Sequence, residues 1–267
     1  MIRISARRVA IFGGVYSNHL ALEATLADAA AAGADEAICL GDLGAFGPHP
    51  DRACEIVRQA GIAVVQGNYD HSLGHGLPDC RCGYTDPRDN RFAALSYRYT
   101  YARTAPTHRA WMRDLPPAIR LSLDGCETLL CHGSPRRANE FLWESSTSDA
   151  FLAWLLDTSD AAALCVSHTG LPWTRELPPG RRVVNVGAIG RPANDGDPRV
   201  VYAILTAAPE GGAPGVEWRR VAYDHSALAS EMREEGLPEE FAETIETGWW
   251  TTCLEVLPQK ERARGRY

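Results

Sequence analysis

Residues 36–50 read EAICLGDLGAFGPHP. The stretch opens on a short apolar run, Glu36–Leu40, of the length and composition of a buried strand, and breaks at Gly41-Asp42. Working outward, the same device recurs three times. Ile62–Val65 ends in Gly67-Asn68-Tyr69-Asp70, Glu127–Cys131 ends in His132-Gly133, and Ala162–Val166 ends in Ser167-His168-Thr169. Each is a strand whose carboxyl end carries a side chain able to ligate a metal. Alone, an Asp after a strand reads as a turn residue and a His as an ordinary polar group. Taken together, one carboxylate, one amide oxygen and two imidazoles form a mixed O/N donor set suited to Zn, Mn or Fe.

Helical patterns separate these strands. Val9–Val15 is a first strand; a helix follows over 18–32, with Asn18 as N-cap and Gly33 as stop. A second helix runs over 50–60, closed by Gly61. Strand, polar turn and helix in succession predict an α/β protein, in which ligands gather beyond the carboxyl ends of the strands. Residues 71–90, rich in Gly, Pro, Asp, His and Cys, are expected to form a long loop, and 91–114 a helix. Ile119–Leu123 and Glu127–Cys131 flank Asp124-Gly125 as a hairpin. Further strands are predicted at 182–186, 200–205 and 216–221, with a flexible turn at Glu210–Gly215. Helical sequence follows Tyr223 and ends in a basic tail, so residues 1–222 are expected to form the main domain and 223–267 an extension packed on it.

The chain of 267 residues is long enough for a sizeable core, and 45% hydrophobic with 23% charged residues is an ordinary globular profile. A net charge of −7 excludes broad electrostatic binding to nucleic acid or to an anionic membrane, but leaves room for a small phosphorylated molecule or a nucleotide. No apolar run is long enough to cross a bilayer, and Val9–Val15 reads as a strand, not a signal peptide. Cys39, Cys131 and Cys165 end apolar runs and read as small hydrophobes, which points to a reducing, cytoplasmic setting.

The ordered stretches LGDLGAFGPHP, VVQGNYDH and LLCHGSP, followed by VNVGAIGRPANDGDPRVVYAIL at 184–205, resemble the calcineurin-like metallophosphoesterases, in particular their small bacterial phosphodiesterase and phosphatase branch. The resemblance spans residues 9–206. It implies a four-layer α-β-β-α sandwich with two mixed sheets. It also implies a site for two ions, which clamp a phosphate, activate water and stabilise developing charge. On it, Asp42 bridges the ions, and Asn68, His132 and His168 complete the shell of one of them. Asp42, Asn68, Tyr69 and Asp70 become the catalytic candidates. Tyr69 stands where that branch has a proton-donating His, and a phenol is a poorer acid at neutral pH.

The pattern departs on one side. The first motif, expected near A-x-I-S-D-I-H-S-N, here reads AIFGGVYSN, residues 10–18, so Gly14 and Tyr16 replace Asp and His. The last, expected as G-H-T-H, is Ser167-His168-Thr169-Gly170. All three losses fall on one ion. One transition-metal ion is therefore expected, with a second only if substitutes hold it. Tyr16 as phenolate, His71, His75, Cys80, Cys82, Asp86 and Asp89 are the substitutes on offer, and Arg191 is a candidate phosphate contact. Three readings stay open: a phosphoester hydrolase with an atypical site, a non-hydrolytic binding protein, and a changed reaction using Cys80 and Cys82. The remaining notable residues are assigned bland roles. His19 is a surface cap and His49 part of the rim. Trp249 and Trp250 form a packed helix end, or a contact in a homo-oligomer.

Overall fold

A computed structural model describes residues 2–208 and 212–265. The strands form two mixed sheets. One has six strands, in the order β1 (Ile2–Ala6), β5 (Ala118–Leu123), β6 (Cys126–Cys131), β7 (Ala163–Val166), β9 (Arg181–Val186) and β8 (Pro172–Leu177). The other has five: β11 (Gly215–Val221), β10 (Val200–Thr206), β2 (Arg8–Phe12), β3 (Glu36–Cys39) and β4 (Ala63–Val64).

Period-2 alternation assigns each strand residue to a layer. In β2, Val9 and Ile11 join Leu121, Leu130 and Val184 between the two sheets, while Ala10 and Phe12 point the other way. There they meet α1 (His19–Ala31) and α2 (Pro50–Gln59) through Leu22 and Val57. Across the molecule, Leu129 and Cys131 turn from the six-stranded sheet onto Leu152 and Leu155 of α6 (Asp149–Ser159). Helix, sheet, sheet, helix is the four-layer sandwich expected from the sequence.

The 71–90 stretch is not the long loop expected. Helix α3 (Asn68–His75) starts inside the third motif and ends at Gly76, and α4 (Pro87–Arg103) starts at Pro87 on the Asp86 cap, leaving only 76–86 irregular. The helix expected over 91–114 is broken before Pro106, which opens α5 (Pro106–Arg113), because the residues preceding a proline resist the helical region. The turn expected at Glu210–Gly215 lies partly outside the described residues. Beyond Tyr223, α7 (His225–Glu234) and α8 (Glu239–Thr247) pack on Phe92 of α4, and a short α9 (Gln259–Arg262) follows. No helix among the described residues is long and apolar enough to cross a membrane.

Candidate metal centre

Asp42 follows β3 in a left-handed conformation, φ +56°. Gly41 before it has φ +89°, and a Cβ there would lie 2.4 Å from the Gly67 nitrogen, so only glycine lets the second and third motifs touch. Asp70 ties the two motifs together. Its carboxylate accepts the backbone N–H of Asp42 (2.8 Å), Leu43 (3.0 Å) and Gly67 (2.8 Å). Burial, then the Asp42 carboxylate, push the Asp70 carboxyl up to about 6. Asp70 therefore organises the loops and does not face the donor cluster. The first turn of α3 caps Asp42 in return, Tyr69 N–H donating to Oδ1 at 2.9 Å.

Around Asp42 the other donors converge. His132 Nε2 lies 3.2 Å from Asp42 Oδ2, and His168 Nδ1 lies 3.2 Å from His132 Nε2. Among the described residues, Asp42, His132 and His168 are the only three His, Cys or carboxylate groups whose donor atoms all fall within 4.8 Å of one another. Each imidazole is pinned at its far nitrogen, His132 Nδ1 by the Leu40 carbonyl (2.6 Å) and His168 Nε2 by the Cys82 carbonyl (3.2 Å). A proton placed on each of those nitrogens leaves the inward one with its lone pair, the arrangement metal-ligating histidines use. Asn68 is oriented the same way. Its Nδ2 donates to the Cys80 carbonyl at 2.9 Å, while its Oδ1 is buried with no hydrogen-bond partner. A buried carboxylate with two converging imidazoles fits a transition metal, and the orphaned amide oxygen of Asn68, the residue before the Tyr69 N–H that caps Asp42, is a candidate fourth donor.

Without an ion, Asp42 and His132 act as a charge pair whose proton a metal would displace, while His168 is already neutral. Burial opposes ionisation of Asp42, yet His132 holds its carboxyl below the usual carboxylate range. Burial also disfavours the His132 imidazolium, but Asp42 raises the ring above its ordinary value. Burial, then His132, push His168 down to about 3, so that ring is neutral and fit to ligate.

The remaining candidates separate from this cluster. The Tyr69 hydroxyl donates to Ser96 Oγ at 2.9 Å, so the phenol faces α4 instead of a leaving group. His71 is exposed and paired with Gln66 (3.2 Å), and His75 is exposed and bonded to the His71 backbone (2.9 Å). Asp86 caps α4, and Asp89 accepts from the Val256 backbone. Cys80 and Cys82, expected as substitute ligands or as the groups of a changed reaction, are buried and joined in a disulfide, which leaves neither thiolate free to ligate. Their backbone carbonyls instead orient Asn68 and His168.

The three altered positions also come together. Gly14 N–H donates to the Gly41 carbonyl and Tyr16 N–H to that of Asp42, placing the first-motif loop beside the donor cluster. The place is not open space. Tyr16 folds back over Gly14, where a Cβ would lie 2.9 Å from the ring, and meets Phe46 edge-on at 5.3 Å. A Cβ on Gly170 would lie 3.3 Å from both Arg191 Nη2 and the Trp250 ring. Burial pushes the Tyr16 phenol far up, so the phenolate expected as a ferric-type ligand is disfavoured.

Sequence reasoning missed the aromatic cover. Phe141 packs on His168 at 4.4 Å and stacks on Trp143 at 5.1 Å. Trp250 anchors over the site through Nε1 to the Pro192 carbonyl (2.7 Å). His19 is fully buried, not a surface cap: Asn18 does the capping, and the His19 ring faces His49 and Glu231.

The family profile described as the calcineurin-like phosphoesterase superfamily domain matches residues 8–209. The chain belongs to that superfamily. A crystal structure of a metallophosphoesterase from Sphaerobacter thermophilus is 29% identical, covers 91% of this chain and 99% of its own, and superposes with a TM-score of 0.68. A hypothetical protein from Pyrococcus horikoshii, 21% identical over 91% of this chain and 99% of its own, reaches 0.75 and shows the shared fold. An uncharacterized protein of Methanocaldococcus jannaschii is 23% identical over 257 residues, 90% of this chain and 98% of its own. As a calcineurin-like phosphoesterase, the chain falls in the general class of metal-dependent phosphoesterases.

Proposed function

We propose that this calcineurin-like protein hydrolyses a phosphoester of a small molecule or nucleotide with one transition-metal ion, Mn, Zn or Fe. The observation that carries the reading is the buried cluster of Asp42, His132 and His168, whose donor atoms all lie within 4.8 Å of one another; the buried Asn68 Oδ1, left without a hydrogen-bond partner, is a further candidate donor. Asp42 Oδ2, Asn68 Oδ1, His132 Nε2 and His168 Nδ1 would hold the ion. When bound, such an ion polarises a phosphoryl oxygen and lowers the pKa of a ligated water toward neutrality. The chain does the rest. The Leu40 and Cys82 carbonyls keep both imidazoles in the ligating tautomer, Asp70 locks the Asp42 and Asn68 loops, and Phe141 shields His168 from bulk water. None of this requires Tyr69 as the acid, so the leaving group would take its proton from water.

A second reading, a metal-binding member of the family without turnover, is favoured by one observation: all four donor residues are buried, His168 being the most open at 8% exposure. Metal content of wild type and of His132→Ala tests the centre; if neither retains a transition metal, the site assignment is wrong. A generic phosphodiester and a phosphomonoester, each assayed with Mn, Zn and Fe, separate the two readings. Turnover that Asp42→Asn abolishes supports hydrolysis. Metal uptake without turnover on either ester supports the binding protein.

A further inference from the structure

Arg191 is 7% exposed, and among the described residues it makes no hydrogen bond and no ion pair. Its Nε is buried without a partner. What surrounds it is aromatic. The guanidinium carbon sits 3.4 Å over the Trp250 ring, 5.4 Å from Phe46 and 5.8 Å from Tyr16. These rings satisfy the faces of the guanidinium, where cation–π attraction acts. They offer nothing to its edge, which carries five N–H donors in a fixed fork. A guanidinium that is nearly buried, with Nε taken out of water and unpaired, is costly unless an anion reaches the donors of its edge.

The place of this edge is informative. Nη2 is the atom that a Cβ on Gly170 would meet, two residues past His168. The Gly190 N–H just before Arg191 donates to the Gly14 carbonyl at 2.7 Å. Arg191 thus stands among Gly14, Tyr16 and Gly170, the three positions that depart from the motifs the chain resembles. A guanidinium there restores positive charge beside the one-ion centre, with a bidentate edge matched to a phosphoryl oxyanion.

We infer that Arg191 is a phosphoryl-binding residue, its N–H edge holding the oxygens of a phosphate group that is also in reach of the Asp42–His168 centre. The inference rests on the one-ion reading above. Trp250 is the positioning residue that holds the guanidinium plane. The ligand is a tetrahedral phosphoryl oxyanion, either an ester or free inorganic phosphate.

The test is calorimetric titration of inorganic phosphate and of phenyl phosphate into wild type, Arg191→Met and Arg191→Lys. Each is run metal-stripped and Mn-loaded, with Mn content measured on every sample. Wild type should bind; Arg191→Met should weaken binding about tenfold or more, and Arg191→Lys, a point charge without the fork, should fall between, with Mn content equal in all three. Binding of phenyl phosphate alone identifies the ester as ligand, binding of inorganic phosphate alone the free anion, and each supports the seat. Equal affinity in wild type and Arg191→Met overturns the inference while leaving the metal centre standing. Absence of Mn with Arg191-dependent phosphate binding does the reverse: the one-ion reading fails and the anion seat survives. Should Arg191→Met not fold, wild type still decides. A melting temperature that phosphate raises, and raises less in Arg191→Lys, supports the seat; no phosphate response in wild type removes it.

Discussion

Two halves of one site lie side by side on the Asp42 loop, and they are built in opposite ways. The half around Asp42, Asn68, His132 and His168 is a set of acceptors turned inward, each fixed from behind by a carbonyl or backbone amide. The half around Gly14, Tyr16 and Gly170 holds a tyrosine ring, a tryptophan ring and a guanidinium. The first needs a cation to complete it and the second carries one already. At these three positions, which depart from the motifs the chain resembles, Tyr16, Trp250 and Arg191 pack together, and an ion placed among them would have to displace them.

The sharpest way to break the comparison is His132→Ala. It removes a donor and strands the buried Asp42 carboxylate, which should lower stability by about 3–5 kcal/mol in denaturant titration and abolish metal retention on dialysis. Unchanged metal content would mean that this half is not a metal centre. Next is Gly14→Ala. With φ +53° and a Cβ 2.8 Å from Ala188 Cβ and 2.9 Å from the Tyr16 ring, it should cost about 2–3 kcal/mol. In a Tyr16→Ala background the same change should cost about 1 kcal/mol less; strict additivity would show that the ring does not fill that place.

Asp70→Asn reports on the scaffold shared by both halves. An amide replaces an acceptor of three backbone N–H groups by one that must turn a donor toward them, so metal affinity measured by competition with a chelator should fall about tenfold. No change would restrict Asp70 to folding.

The smallest effect lies at the edge of the altered half. Burial, then Arg52 and His49, lower His19 from 6.5 to about 4, and Glu231 of α7 faces the same ring. The fold favours the neutral imidazole, so the unfolded chain takes up the proton first. This stabilisation is fully present above about 6.5 and is lost as pH falls toward about 4. His19→Leu should flatten the decline of melting temperature across that window. An equally steep decline would assign it to other groups.

Much of this was legible in the chain because strand ends leave local marks. An apolar run broken by Gly41-Asp42 or His132-Gly133 states both the strand and the direction of its ligand. The roles of side chains with a choice of partners were not. Tyr69 N–H serves Asp42 while its hydroxyl, three bonds of rotation away from any sequence rule, bonds Ser96 on another helix. Cys80 and Cys82 read as substitute ligands, and only the packing of 76–86 over Asn68 shows that their carbonyls orient Asn68 and His168 while their sulfurs are joined to each other.

By itself the sequence determined the α/β rhythm and the order of the motifs, since periodicity and glycine-bounded strand ends are properties of neighbours along the chain; the four-layer sandwich was implied by the family those motifs resemble. Tertiary structure alone decided what fills the altered half. Tyr16, Arg191 and Trp250 are separated by 175 and 59 positions in the chain, and no local pattern links a ring to a guanidinium across that distance. Their contact depends on folding the first-motif loop, the turn after β9 and the segment after α8 onto one another, which is a matter of burial and shape.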